Sequence, residues 1–200
     1  MKRTMVAAAV GCALMVAGVV PAFAADNGVA GKKILLKDNG KKAKLNALLK
    51  DSSVAAISAE ELEALQGSPG GALLEACAGN GSSGSVELPW ANWSVNKKGT
   101  LLKYKDKGNT SGIKVITLKA GKLIKIVGKT TVVPMGAPLE GVGLRLTTGS
   151  ETNCSLFGAS TVKKDTESLF KAKNAAAPSD CADATLLCAP AGSPSGAFLD

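Results

Sequence analysis

The 200-residue chain contains no histidine. That absence removes Ser-His-Asp and Cys-His nucleophilic chemistry, and with it most imidazole-ligated metal sites. Arginine is nearly as scarce. Of 24 basic residues, Lys2 and Arg3 stand at the extreme N-terminus, and among the others only Arg145 is an arginine. Phosphate recognition through arginine forks is therefore not available. Aromatic residues make up 4% of the chain. They do not interleave with basic positions as a base-stacking platform would, so nucleic acid is disfavoured as a partner. No D-x-D-x-D-G calcium loop occurs, and the C-x2-C pairs that hold zinc are missing although there are five cysteines. The sequence implies no cofactor and no metal.

What is present begins with a leader. Lys2 and Arg3 give a basic start, Met5 to Val20 run uncharged and mostly apolar, and Pro21 closes the run. Ala22-Phe23-Ala24 places small residues where a signal peptidase needs them, which predicts cleavage between Ala24 and Ala25. The apolar run is shorter than the roughly 20 residues of a membrane-crossing helix. A lipid anchor on Cys12 is disfavoured because the apolar run continues past it. Residues 1–24 are thus read as a signal peptide, residues 25–189 as one β-rich domain of ordinary size, and residues 190–200, rich in Ala, Gly, Ser and Pro, as a mobile tail. The mature chain is expected in the periplasm or outside the cell, with no transmembrane segment. Loss of Lys2 and Arg3 lowers the formal net charge from +8 to +6.

Four cysteines remain, Cys77, Cys154, Cys181 and Cys188. Export places them where disulfides persist, and spacing alone leaves all three pairings open.

Short alternating runs separated by Gly, Asn, Asp and Pro dominate the rest, the pattern of half-buried antiparallel strands. Residues 32–37 and 43–49 flank Asp38-Asn39-Gly40, and Asn-Gly supplies the positive φ of a tight hairpin. Ser58-Ala59-Glu60-Glu61 is a capping box that predicts a short helix over 59–66. Further runs cover 72–78, 85–90, 101–107, 113–119, 122–128, 142–148, 155–158, 161–164 and 169–173. Residues 113–128 form a hairpin across Ala120-Gly121 whose apolar content suggests a central place. The expected fold is all-β: one antiparallel β-sandwich or partly open barrel, with at most one short helix and disulfide staples.

Three motifs invite a functional reading. Gly79-Asn80-Gly81-Ser82-Ser83-Gly84 matches G-x-G-x-x-G, but a strand pattern follows it where a dinucleotide site needs a helix. A mobile hairpin loop is the better account. Ser94-Val95-Asn96-Lys97 has Ser-x-x-Lys spacing without the helix of a serine–lysine hydrolase. The lysines are the compositional oddity. Lys103, Lys105 and Lys107 fall on one strand face, and Lys114, Lys119, Lys122, Lys125 and Lys129 decorate the next hairpin. They offer an anionic-ligand surface, most directly through Lys103, Lys105, Lys107, Lys114, Lys122 and Lys125. The competing account, preferred here, is that lysines solubilise sheet faces and block edge pairing. Trp90 falls on an apolar face, while Trp93 is undecided between core packing and sugar stacking.

Several of these tracts resemble a group of exported bacterial lysine-rich β-domain proteins with no known activity. The likeness rests on Gly31-Lys32-Lys33-Ile34-Leu35-Leu36-Lys37-Asp38, Tyr104-Lys105-Asp106-Lys107, Lys119-Ala120-Gly121-Lys122-Leu123, Leu146-Thr147-Thr148-Gly149, the cysteine before Leu156-Phe157-Gly158, and the tract from Ala172 through Pro178 to Cys181. It covers roughly residues 31–182. The resemblance implies pairing of Cys154 with Cys181, which leaves Cys77 and Cys188 for each other. Taken together, the expectation is a non-catalytic exported structural or adhesive domain. The alternatives are a module binding an anionic envelope polymer or a carbohydrate, through lysine faces or Trp93, and a hydrolase without histidine.

Overall fold

A computed structural model of the protein describes residues 25–108 and 110–186. Within them the alternating runs become thirteen strands. β1 (Ala25–Gly28) is followed after two residues by the hairpin of β2 (Gly31–Asp38) and β3 (Ala43–Leu49). Gly40 turns that hairpin at φ 72°, while the Asp38 and Asn39 side chains accept from the amides of Gly40 and Lys42. Then come α1 (Ala59–Gln66), β4 (Gly71–Ala78), β5 (Ser83–Pro89), a 3-10 turn at Trp90–Asn92, β6 (Trp93–Val95) and β7 (Leu101–Lys105). The chain continues through β8 (Ile113–Lys119), β9 (Leu123–Gly128), β10 (Val142–Thr148), β11 (Glu151–Phe157), β12 (Val162–Thr166), β13 (Leu169–Ala175) and α2 (Cys181–Leu186).

The strands build two sheets. One has five strands in the order β1-β11-β10-β4-β5, the other eight in the order β12-β13-β2-β3-β9-β8-β7-β6. The expected sandwich is therefore what forms, and neither sheet closes into a barrel. Alternation decides which side chains meet between the sheets. Ile34 and Leu36 of β2, Leu45 of β3, Ile116 and Leu118 of β8, and Ile124 and Ile126 of β9 are buried from one side. Leu74 of β4, Leu144 and Leu146 of β10 and Phe157 of β11 are buried from the other, in the same cluster. Each such aliphatic side chain contributes about 1.5–3 kcal/mol of transfer free energy. The 113–128 hairpin lies centrally, as its apolar content suggested.

Helix α1 spans the predicted residues, and its cap is half of the one expected. The Ser58 hydroxyl accepts from the Glu61 amide at 3.1 Å, but the Glu61 carboxylate does not return to the Ser58 amide. It accepts instead from the backbone and hydroxyl of Ser150, at 2.7 and 3.0 Å. A contact 89 residues away in sequence thus replaces the local one and ties the helix to the β10–β11 turn.

Three elements had no sequence signal: β1, the short edge strand β6, and α2, a second helix where at most one was expected. β1 pairs with β11 in parallel, whereas antiparallel strands were expected throughout. Its residues, Ala-Asp-Asn-Gly, have no apolar alternation, and backbone bonding holds them: the Ala25 amide reaches the Ser150 carbonyl and the Val29 amide the Cys154 carbonyl, both at 2.8 Å. α2 is held by tertiary contacts to β10 and β11, not by helix propensity over six residues.

Candidate functional site

The two sheets have different outer faces. That of the five-stranded sheet is covered over β1, β11 and β10 by the segment after β13, while β5 stays exposed. Cys181 of α2 is bridged to Cys154 of β11, with Cα atoms 5.4 Å apart, and buried Ala184 packs beside them. The sheet is shaped for this cover. A Cβ on Gly143 would strike the Ala184 carbonyl, and one on Gly28 the Pro178 carbonyl. Cys77, on β4, is also disulfide-bonded. Some residues named in the sequence analysis lie outside the described ones. Cys188 lies among those residues, as do Ala24 and the tail 190–200. Ala25, on the other side of the expected cleavage point, begins β1.

The outer face of the eight-stranded sheet carries no such layer. Cross-strand register places its side chains in rows. One row runs Ser94, Lys103, Thr117, Lys125, Leu48, Lys33, Lys173. The next, two residues along each strand and so about 7 Å away, runs Lys105, Val115, Val127, Asn46, Leu35, Lys171, Lys164. Lys37 faces Lys44 in a third, and Lys119 faces Leu101 in a fourth. No Asp or Glu occupies an outward position on any of these strands. Asp165 turns inward, where its carboxylate accepts from the amides of Leu139 and Glu140. Asp106 is buried and accepts from Thr110 and Ser111. A shallow depression of about 300 Å³ opens on this face between Lys33, Leu35, Asn46, Lys171 and Lys173.

Of the lysines expected to form a surface, Lys103, Lys105 and Lys125 lie in these rows. Lys114 sits at the irregularity between Ile113 and Val115, Lys122 in the β8–β9 turn and Lys107 in the loop after β7, all exposed at the margin. Sequence reasoning missed Lys33, Lys37, Lys44, Lys164, Lys171 and Lys173. Apart from Lys164, whose strand β12 has no buried residue, each stands beside a buried neighbour in its own strand, so the signal was there locally. What one strand does not reveal is that β13, β2, β3, β9, β8 and β7 share a sheet.

The other candidates resolve differently. Trp93 is buried at 2% exposure, donates its indole N–H to the Leu88 carbonyl at 3.2 Å and packs against Tyr104 with ring centroids 5.4 Å apart. That corrects its proposed use for sugar stacking. Ser94 is exposed and its hydroxyl donates to the Lys103 carbonyl at 3.3 Å, a partner that engages it away from Lys97. The 79–84 glycine segment leads into β5, not into a helix. It is also tied down, because the Gly79 and Asn80 amides reach the carbonyls of Gly141 and Leu139 and the Asn80 side chain that of Pro138. The mobile loop expected there is a fixed turn. Among the described residues no cluster of acidic and cysteine side chains could hold a metal ion, and no helix is long and apolar enough to cross a membrane.

Fold and surface together define a disulfide-stapled, two-sheet β-sandwich with one covered face and one open, uniformly basic face. No protein-family model, curated protein or solved structure matches the chain.

Proposed function

We propose that this chain is an exported, non-catalytic adhesive domain that docks onto an anionic polymer of the cell envelope through the outer face of its eight-stranded sheet. The observation that carries the proposal is the sign of that face: lysine at outward positions of seven adjacent strands from β12 to β7 and no carboxylate among them. Solubility alone is served by interspersed charges of both signs. Protection of sheet edges would confine lysine to the margins; edge strand β12 does carry Lys163 and Lys164, but edge strand β6 has none and central β2, β3 and β9 carry lysine as well. The basic leader, the small residues before Ala25 and the disulfide support export. A neutral carbohydrate ligand loses support with the burial of Trp93.

Salt-dependent retention tests the reading. Residues 25–200 should bind immobilised heparin at low ionic strength and elute as salt rises. A variant with Lys33, Lys103 and Lys125 replaced by Gln should elute at clearly lower salt with unchanged far-ultraviolet circular dichroism. Equal elution of the two proteins would remove the face from the interaction.

A further inference from the structure

Within the basic face one group of lysines is set apart by its pairing. Lys33 of β2 stands directly opposite Lys173 of β13, and Lys171 of β13 directly opposite Lys164 of β12. Directly opposed side chains on antiparallel strands have Cβ atoms about 5 Å apart, and like charges there destabilise the sheet. Lys171 and Lys173 are two residues apart on one strand, about 7 Å. Four ammonium groups therefore converge over three adjacent strands with no outward carboxylate to offset them. Three of them, Lys33, Lys171 and Lys173, also border the depression, whose floor holds Leu35 and whose rim adds the Asn46 amide. An arrangement that opposes folding and surrounds a concave site is what a ligand of the opposite charge would stabilise.

We infer that Lys33, Lys164, Lys171 and Lys173 form a phosphate-binding subsite, the point at which the face engages phosphate groups of an envelope polymer. The inference rests on the adhesive reading above and narrows its ligand class. A phosphomonoester substituent or chain end carries about −1.5 to −2 charges on three acceptor oxygens, and an internal phosphate of a polymer one charge on two free oxygens of a tetrahedral centre, which several convergent point charges can share. Lysine is an established phosphate binder of that kind. A carboxylate brings one charge and is recognised best by a planar guanidinium fork, and the face has no arginine. The remaining lysines act on the polymer through the longer-range field.

The test compares long-chain inorganic polyphosphate with polygalacturonate, a carboxylate polymer, as ligands for residues 25–200 and two double variants. Lys33→Gln with Lys173→Gln removes one opposed pair at the depression. Lys37→Gln with Lys44→Gln removes an opposed pair on the same face away from it. The first variant should lose about tenfold in polyphosphate affinity and little for polygalacturonate, and the second should weaken both ligands alike and less. Without ligand, the first variant should also melt roughly 1–4 °C higher than the parent, and polyphosphate should raise the melting temperature of the parent more than that of the variant. Equal losses from the two variants, or an unchanged polyphosphate-to-polygalacturonate ratio, would overturn the subsite and leave the adhesive reading standing. Binding of neither polymer by the parent would sink the adhesive reading itself. Binding only to vesicles of anionic phospholipid would overturn both by assigning the face to a membrane.

Discussion

Asp51 joins the strand crossover to the loop after β3. One carboxylate oxygen accepts from the Ala30 amide and the other from the Ser53 amide, each at 3.0 Å. The Ser53 amide, then the Ala30 amide, hold the carboxyl below its ordinary range. A depressed folded-state value stabilises the protein above the unfolded carboxylate range, and that contribution is lost as pH falls through the folded value. Melting temperature should therefore decline on acidification below about pH 4, and Asp51→Asn should shrink that decline. An identical acid profile for the variant would show that the contact contributes nothing. Asp165 is bonded at shorter distances, one oxygen accepting from the Leu139 amide at 2.8 Å and the other from the Glu140 amide at 2.7 Å, and Leu139 is fully buried. Asp165→Ala leaves the buried Leu139 amide without an acceptor, while water can reach that of exposed Glu140, and should cost about 1–3 kcal/mol in urea denaturation. Neither role was legible in the sequence. An aspartate in a polar stretch looks the same whether it is solvated or bonded to amides 21 or 26 residues away.

At the scale of elements, local chemistry was readable and partner choice was not. Asn39-Gly40 located the first hairpin, and Ser58 located the start of α1, because a turn needing positive φ and a helix end needing an acceptor are satisfied within a few residues. The parallel pairing of β1 and the position of α2 depend on β11, more than a hundred residues from β1 and 27 residues from Cys181 by the cysteine separation. The disulfide closes that second loop. Replacing Cys154 and Cys181 by Ser should lower unfolding free energy by roughly 3 kcal/mol in the chain-entropy model. The expected phenotype is local before it is global: digestion by a protease that does not require basic residues should begin beyond β13, within residues 176–186, while the sheets persist. Cleavage starting elsewhere, with the segment still protected, would mean that packing at Gly28 and Gly143 suffices to hold it.

For the molecule as a whole, the consequence of this cover is directional. One sheet's outer face is occupied by the chain's own C-terminal segment, and its outward charges, Glu75 with Arg145 at 3.7 Å, are of both signs. The other sheet turns lysines of a single sign to solvent, a charge that under the proposed reading orients approach to a polyanion. The sequence by itself determined most of the strands, the hairpins, the bounds of α1 and the inward side of the alternating strands, because these follow from a two-residue or 3.6-residue period and from turn chemistry that neighbours satisfy. Only the tertiary structure decided which strands lie side by side. β3 pairs with β9 across about eighty residues of chain, β13 pairs with β2 across more than a hundred, and no local period encodes such pairings. Lysines that look like ordinary solvated positions one strand at a time become a single basic surface only when those long-range ladders align them.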